Sequence, residues 1–239
     1  MPVDVETDLM RELPGVGNIR IWQASLDQGN GVLRRMAALL SDDEIARVGE
    51  LQGVPRRNRF IVARGILRLL LGGSTGAAPG QIAFTYGRDG KPSIAPGSSG
   101  PEVQFNISHS RDLALFAIAG DRRTGIDIEW TGGSSPFEGV AKRFFSPAEQ
   151  ATLAEATPEA RRRAFYRIWV RKEAYLKGRG EGISEWIYDT DFSRIPSADA
   201  DPAAPAALTT RDQARWLVRD LDGLPAGFVA SVAVERSDR

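Results

Sequence analysis

Between Thr157 and Gly178 the chain reads TPEARRRAFYRIWVRKEAYLKG, a segment that marks both of its own ends. Thr157 is a candidate N-cap, Pro158 takes the first helical position, Glu159 lies in the first turn and Gly178 follows the last turn, so the spacing predicts a helix here. At about 100° per residue, Phe165, Ile168, Trp169, Tyr175 and Leu176 form one stripe, with Arg163, Arg167 and Arg171 on the far side. The stripe must face a core. Glu173 and Lys177 stand one turn apart on its flank. Taken alone they are an ordinary i,i+4 ion pair; partly buried, they could meet a ligand while their stems stay packed.

The rest of the chain supplies what that helix packs on. Asn18 to Ser25 alternates as a short strand and Gly31 to Leu40 is an amphipathic helix. Ser41 and Glu44 have capping-box spacing, so a further helix starts at Asp42 and carries Arg47. Pro55 to Leu71 predicts a long helix that buries Phe60, Ala63, Leu67, Leu70 and Leu71 and stops at Gly72 and Gly73. It carries five arginines, with Arg57, Arg64 and Arg68 on one side and Arg59 across the apolar stripe. Ile82, Phe84 and Tyr86 alternate into Arg88-Asp89-Gly90-Lys91-Pro92, where Asp-Gly signals a hairpin. Ala95 to Glu102 is a loop. The next strand sets Val103, Phe105 and Ile107 against Gln104, Asn106 and Ser108, and ends at Ser108-His109-Ser110.

Asp112 to Ala119 suits a buried strand and is followed by the alternating Gly125-Ile126-Asp127-Ile128-Glu129-Trp130. An amphipathic segment ends at Phe144 and Phe145, and Ser146, Pro147 and Glu149 start a helix with cap, proline and capping-box acid in register. Trp186 to Phe192 reads as a strand, Pro196 to Ala207 as an exposed loop, and Arg215 to Leu221 with Gly227 to Val234 as a closing hairpin. Val103 to Ala119 resembles Trp216 to Val234 as strand, loop and small-residue strand, and this weak echo suggests a duplicated architecture.

Composition excludes several classes of function. With 239 residues, 42% hydrophobic and 26% charged, the chain can bury one large core or two of roughly 120 residues. Lys+Arg and Asp+Glu both number 31, so nothing global points to nucleic acid or an anionic membrane, and any anion site must be local. There are no cysteines, which removes disulfides, thiol nucleophiles and thiolate metal sites. No apolar run approaches the ~20 residues of a membrane span, and the first residues lack signal-peptide character, so a cytoplasmic location is the expectation.

Asp127 and Glu129 leave one face of a hydrophobic strand about 7 Å apart. Buried, such a pair repels unless a cation lies between, and carboxylate oxygens with substrate phosphates are what Mg²⁺ prefers. An edge strand with a solvated face fits the pair equally. Glu173 as a third acid, with Lys177 one turn on, would complete a site for a divalent cation bridging phosphates. His109, the only histidine, ends a strand between two serines, where main-chain N–H groups can receive an anion.

Five ordered blocks between positions 90 and 177 then carry a resemblance. Gly90-Lys91-Pro92, Phe105-Asn106-Ile107-Ser108-His109-Ser110, Gly125-Ile126-Asp127-Ile128-Glu129, Arg143 to Glu149 and Trp169 to Lys177 resemble the motifs of Sfp-type 4'-phosphopantetheinyl transferases. The resemblance implies an α+β fold of two similar α/β halves, residues 1–119 and 120–239, in a pseudo-symmetric monomer with coenzyme A in the cleft between them. It implies Mg²⁺-dependent transfer of phosphopantetheine from coenzyme A to a serine of an apo acyl or peptidyl carrier protein, with release of 3',5'-ADP; Mn²⁺ is the alternative ion.

Residue by residue, Asp127, Glu129 and Glu173 match the acidic metal site and Lys177 the lysine near the pyrophosphate. Ser108 and His109 match the phosphate-binding pair, Lys91 and Pro92 the adenine-side loop, and Arg59 and Arg47, more loosely, the contacts to the 3'-phosphate and the pyrophosphate region. Glu173 is then expected to accept the serine proton, and Lys177 and His109 to stabilise the leaving group. Arg143, Arg161, Arg162, Arg163 and Arg167 are candidate contacts for an acidic carrier helix. One departure is Glu44, which stands where the best-known member of the family has a phosphate-binding lysine. A catalytically inactive binding module and a Mg²⁺-dependent phosphohydrolase are the alternatives.

Overall fold

The structure, a computed structural model, describes residues 9–87, 90–97, 100–133, 136–182, 187–188, 190–193 and 215–236. In chain order the elements are β1 (Met10–Val16), β2 (Ile19–Ser25), α1 (Asn30–Ala37), α2 (Asp42–Glu50), α3 (Val54–Thr75), β3 (Phe84–Tyr86), β4 (Pro92–Ile94), β5 (Gln104–Ser110), β6 (Leu113–Ala119), β7 (Thr124–Trp130), α4 (Glu138–Phe144), α5 (Pro147–Glu155), α6 (Pro158–Arg179), β8 (Trp216–Asp220) and β9 (Phe228–Glu235). One sheet has the order β1-β2-β6-β5, a second β7-β9-β8, and β3 pairs with β4 alone. Every ladder among the described residues is antiparallel, with strands and helices in blocks, so the fold is α+β.

Alternation along the central strands divides the core into layers. Ala114, Phe116 and Ile118 of β6 join Trp22, Ala24 and the α3 residues Val62, Ile66, Leu67 and Leu71 in one cluster. Leu113, Leu115, Ala117 and Ala119 point the other way, onto Ile126 and Ile128 of β7 and Ala230, Val232 and Val234 of β9. The outer face of the second sheet is covered by α6, where Ala174, Tyr175 and Leu176 meet Trp216, Val218 and Ala233. All of β6 is therefore buried, which its unbroken apolar run requires.

Local end signals hold where chemistry fixes them. Ser41 and Glu44 form a capping box at the start of α2, and Ser146 with Glu149 another at the start of α5. Thr157 caps α6 by accepting from Ala160 N at 3.3 Å. The β3–β4 hairpin forms with Phe84 opposite Ile94, although Asp89 of its turn lies outside the described residues.

Four expectations need correction. The helix α3 continues past Gly72 and Gly73 to Thr75 and ends on Gly76 at φ 77°. Gly178 does not stop α6, which ends on Gly180 at φ 74°. A Cβ on Gly178 would lie 2.5 Å from the Trp216 ring, and one on Gly125 would lie 2.1 Å from Ala174 O and 2.3 Å from Gly178 N. These two glycines allow α6 to touch β7; they serve close approach rather than termination. The far side of α6 is not solvated either. Arg171 is buried, donating to Asp220 at 2.8 and 2.7 Å and to Phe192 O at 3.0 Å.

The fourth correction concerns the expected strand from Trp186 to Phe192. Ile187 and Tyr188 form a 3-10 turn and Asp191 only an isolated bridge, while Trp186 lies outside the described residues. Side chains take this segment's backbone groups: Lys172 Nζ donates to Ile187 O at 2.9 Å and Thr190 O at 2.7 Å, and Glu149 Oε1 accepts from Phe192 N at 2.8 Å. The expected loop from Pro196 to Ala207 lies outside the described residues. Sequence reading missed β1, an edge strand that tolerates Pro14 and carries an irregularity between Leu13 and Val16.

Candidate active site

The two sheets meet along β5 and β7, which run side by side in the same direction and are joined through side chains. Asn106 Oδ1 accepts from Ile126 N at 2.8 Å, Ser108 Oγ donates to Asp127 Oδ1 at 2.8 Å, and Ser110 Oγ donates to Glu129 Oε2 at 2.9 Å. Trp130 N closes the row by donating to Ser110 Oγ at 3.1 Å. The even-numbered face of β5, chosen by the alternation, therefore supplies the polar groups that receive the two acids of β7.

From the other side comes α6. Lys177 Nζ lies 2.5 Å from Asp127 Oδ1 and donates to Ser108 Oγ at 3.1 Å. Asp127 is 4% exposed, and its second oxygen, Oδ2, is buried with no hydrogen-bond partner among the described residues. Burial pushes its carboxyl up from the ordinary range, against the opposing pull of Lys177 and Ser108. Glu129 is also raised, by burial first and then by the charge of Asp127. Burial, then Asp127 and Glu129, hold Glu173 up to about 7 despite the nearby Lys177. Three carboxyl groups thus feel one another through a partly dry site.

His109 lies at the end of β5 on the wall of a cavity of about 730 Å³, together with Arg47, Arg56, Arg59, Arg64 and Arg111. Burial, and then the positive charges of Lys177, Arg56 and Arg59, hold the imidazole below its usual range. Arg59 is paired with Asp27 at 2.6 Å and Arg47 with Glu50 at 2.7 Å. Lys91 and Pro92 line a different cavity, of about 550 Å³, with Arg123 and Arg179. The Lys91 ammonium donates to Lys177 O at 2.6 Å and Thr124 O at 3.0 Å, and burial holds it down at about 8.

Asp127, Lys177 and Ser108 are therefore in direct contact, Glu129 and Glu173 adjoin them electrostatically, and His109, Arg47 and Arg59 line the neighbouring cavity. Lys91 reaches α6 through its backbone carbonyl. Of the candidate docking arginines, Arg161 donates to Leu153 O and Ala156 O, and Arg167 pairs with Asp220. Sequence reading did not single out Ser110, Arg64 or Arg111 for the site. The alternation that selected Ser108 would have found Ser110; Arg64 carried no separate signal among five arginines on one helix.

Among the described residues no cluster of three or more Asp, Glu, His or Cys side chains is arranged to hold a metal ion. The donors nevertheless suit a hard divalent cation in type. They are carboxylates, one buried oxygen lacks a partner, and all three are raised by burial, in Glu129 and Glu173 with the repulsion a cation would relieve.

A family model described as the 4'-phosphopantetheinyl transferase superfamily matches residues 123–233, which run from the start of β7 into β9. The chain is 42% identical over 189 residues to the 4'-phosphopantetheinyl transferase HetI of Nostoc sp., covering 79% of each protein. The chain belongs to the 4'-phosphopantetheinyl transferase superfamily. The 4'-phosphopantetheinyl transferase AcpT of Salmonella typhi is 35% identical over 131 residues, 55% of this chain and 64% of that protein. A 4'-phosphopantetheinyl transferase of Bacillus subtilis is 31% identical over 150 residues, 63% and 64% of the two. As a phosphopantetheinyl transferase this chain carries Asp127, Glu129, Glu173 and Lys177 inside the family match, whereas Ser108, His109, Lys91 and the cavity arginines precede it.

Proposed function

We propose that this transferase moves 4'-phosphopantetheine from coenzyme A to a serine of an apo acyl or peptidyl carrier protein and releases 3',5'-ADP. The observation that carries the reading is the contact of Lys177 with Asp127 and Ser108 beside a cavity walled by arginines. A reacting pyrophosphate would lie at that contact, in the cleft between halves 1–119 and 120–239, and the nucleotide end in the cavity.

Asp127, Glu129 and Glu173 would hold Mg²⁺ or Mn²⁺, which supplies charge neutralisation for the pyrophosphate. The serine Oγ attacks the β-phosphorus, the bond to the bridging oxygen breaks, and that oxygen departs with 3',5'-ADP. Glu173 takes the serine proton, directly or through a water. Lys177 turns from Asp127 to the departing oxygen, and the Ser108 hydroxyl and His109 bind phosphate oxygens. His109 stays neutral when unliganded because burial and three cations disfavour its charge, and it gains a proton most readily once a phosphate arrives. Lys91 and Pro92, the adenine-side loop of this reading, line the separate cavity of about 550 Å³, so the adenine would extend out of the arginine-walled cavity toward them. The acting form is a cytoplasmic monomer with neither nucleic acid nor membrane as partner. No helix among the described residues is long and apolar enough to cross a membrane.

Intact mass of an apo carrier protein after incubation with the enzyme, coenzyme A and Mg²⁺ tests this. A gain of one phosphopantetheine, abolished by EDTA and by Asp127→Ala, is expected. No gain on several carriers despite coenzyme A binding would favour an inactive binding module, and phosphopantetheine released to water without acceptor a phosphohydrolase.

A further inference from the structure

We propose that Lys91 is a positioning residue for the transfer reaction, whose ammonium clips α6 to β7 at their crossing and so sets the reach of Lys177 to Asp127. This rests on the transfer reading above, in which Lys177 attends the departing oxygen. The carbonyls that Lys91 Nζ holds, Lys177 O at 2.6 Å and Thr124 O at 3.0 Å, belong to those two elements. They are the carbonyls of the residues immediately before Gly178 and Gly125, the pair at which α6 and β7 touch. One side chain of the β3–β4 hairpin therefore spans the crossing.

The span is built at both ends. On the hairpin, Gly90 takes a φ of 75° and donates to Gly87 O at 2.9 Å, and Gly87 N donates to Lys91 O at 3.0 Å. Pro92 then fixes the first backbone angle of β4. The Gly-Lys-Pro run thus holds the root of the lysine between a left-handed turn and a rigid strand start. At the far end, Lys177 O is one of the last carbonyls of α6, which no later turn of the helix can satisfy. Gly180 N reaches it at 3.2 Å, and Lys91 adds a shorter bond with a positive charge at the negative end of the helix.

Lys177 is therefore bonded at both its ends, the carbonyl to Lys91 and the ammonium to Asp127 at 2.5 Å and Ser108 at 3.1 Å. Asp127 stands three residues along β7 from Thr124, the other residue that Lys91 grips. Two of the three N–H donors of the Lys91 ammonium thus go to main chain that carries the reacting groups. Without them the last turn of α6 is free to shift against β7, and a shift of about 1 Å at a reacting group can cost about a hundredfold in rate.

A time course of transfer to an apo carrier protein, read by intact mass at saturating coenzyme A, carrier and Mg²⁺, gives the rate, and calorimetry gives the coenzyme A affinity. Lys91→Met, which keeps the stem and removes the donors, should lower the rate by roughly tenfold or more, with coenzyme A bound within about twofold of wild type. The double variant identifies the route. Adding Lys91→Met to Lys177→Ala should change the rate by less than about twofold, because the ammonium that Lys91 positions is already gone. General loosening of the fold, or a direct contact of Lys91 with substrate, would instead multiply the two losses. Melting temperatures accompany each variant, and Lys91→Gln, with one amide donor group on a shorter stem, carries the cycle if the methionine variant does not fold. Multiplied losses overturn the proposal, as does a Lys91 variant whose coenzyme A affinity falls while its saturated rate holds. An unaltered rate in Lys177→Ala removes the role of Lys177 and this proposal with it; wild type that transfers nothing to any carrier brings down the transfer reading itself.

Discussion

Replacing Lys172 with methionine should destabilise the protein by about 3–5 kcal/mol at pH 8, the range for stranding one member of a buried ion pair. Lys172 is 2% exposed and Glu149 fully buried, with Nζ 2.9 Å from Oε2. At that separation, and an effective dielectric of about 20, the attraction alone is about 6 kcal/mol. Relief from burying the ammonium reduces the net loss, and the freed carbonyls of Ile187 and Thr190 add to it. Glu149 keeps two N–H donors, Ser146 at 2.7 Å and Phe192 at 2.8 Å, which do not neutralise it.

The loss should depend on pH in a defined direction. Burial already raises the Glu149 carboxyl above 4.5, and the Lys172 charge is the main force opposing that rise. Without Lys172 the folded value climbs further. A raised acid contributes stability below its unfolded value and loses it as pH rises through its folded value, so Lys172→Met should cost more at pH 8 than at pH 5. Urea denaturation followed by circular dichroism at both pH values measures this. Thermal melting should fall by roughly 6–20 °C at pH 8 for a chain of this length. The double variant Lys172→Met/Glu149→Gln should recover about 2 kcal/mol relative to the sum of the singles. A loss under about 1 kcal/mol at pH 8, or a pH-independent loss with additive singles, would refute the reasoning.

Three further outcomes follow from the same geometry. Gly125→Ala sets a Cβ 2.1 Å from Ala174 O, a backbone atom that can move only with α6, so the midpoint in urea should drop by the equivalent of about 3 kcal/mol or more; an unchanged midpoint would contradict the close approach. In EDTA, Glu173→Gln should gain on wild type between pH 5 and 8, because the wild-type carboxyl, raised from 4.5 to about 7, stabilises the fold only while protonated. The difference should reach about 3 kcal/mol, and parallel stability curves would refute it. Lys91, lowered from 10.5 to about 8, binds its proton more weakly in the fold than in the unfolded chain. Wild type should therefore gain stability relative to Lys91→Met as pH rises from 8 to 10.5, by up to about 3 kcal/mol, and a flat difference would show that the ammonium is not buried.

What could be read in the sequence, and what could not, divides by distance along the chain. Ser41 with Glu44, Ser146 with Glu149, and Thr157 with Ala160 satisfy each other within three residues, so residue type and spacing determine them. The partners of Arg171, Arg68 and Lys172 could not be read from spacing because they are far away: Asp220 for the first, Glu44 for the second, Glu149 with Ile187 and Thr190 for the third. Trp186 to Phe192 read as a strand because its side chains have β character, but Lys172 and the capping acid Glu149, both distant in sequence, occupy the backbone groups of Ile187, Thr190 and Phe192. Arg64 escaped notice for the same reason, since only the fold reveals that one of its nitrogens is buried without a hydrogen-bond partner among the described residues.

The glycines show most clearly how fold and site coincide. Gly178 has the sequence signature of a helix stop, and Gly125 that of a strand start, yet their common property is the absence of a side chain where α6 crosses β7. Asp127 stands two residues beyond Gly125, on the strand face turned toward the helix, and Lys177 one residue before Gly178. A side chain at either glycine would lift the helix by a fraction of its own diameter. That displacement would be enough to part Lys177 Nζ from an Asp127 oxygen now 2.5 Å away and to leave Asp127 with Ser108 as its remaining side-chain partner among the described residues. The residue types that could do chemistry were visible from the start; the contact that brings them together depends on two residues that do none.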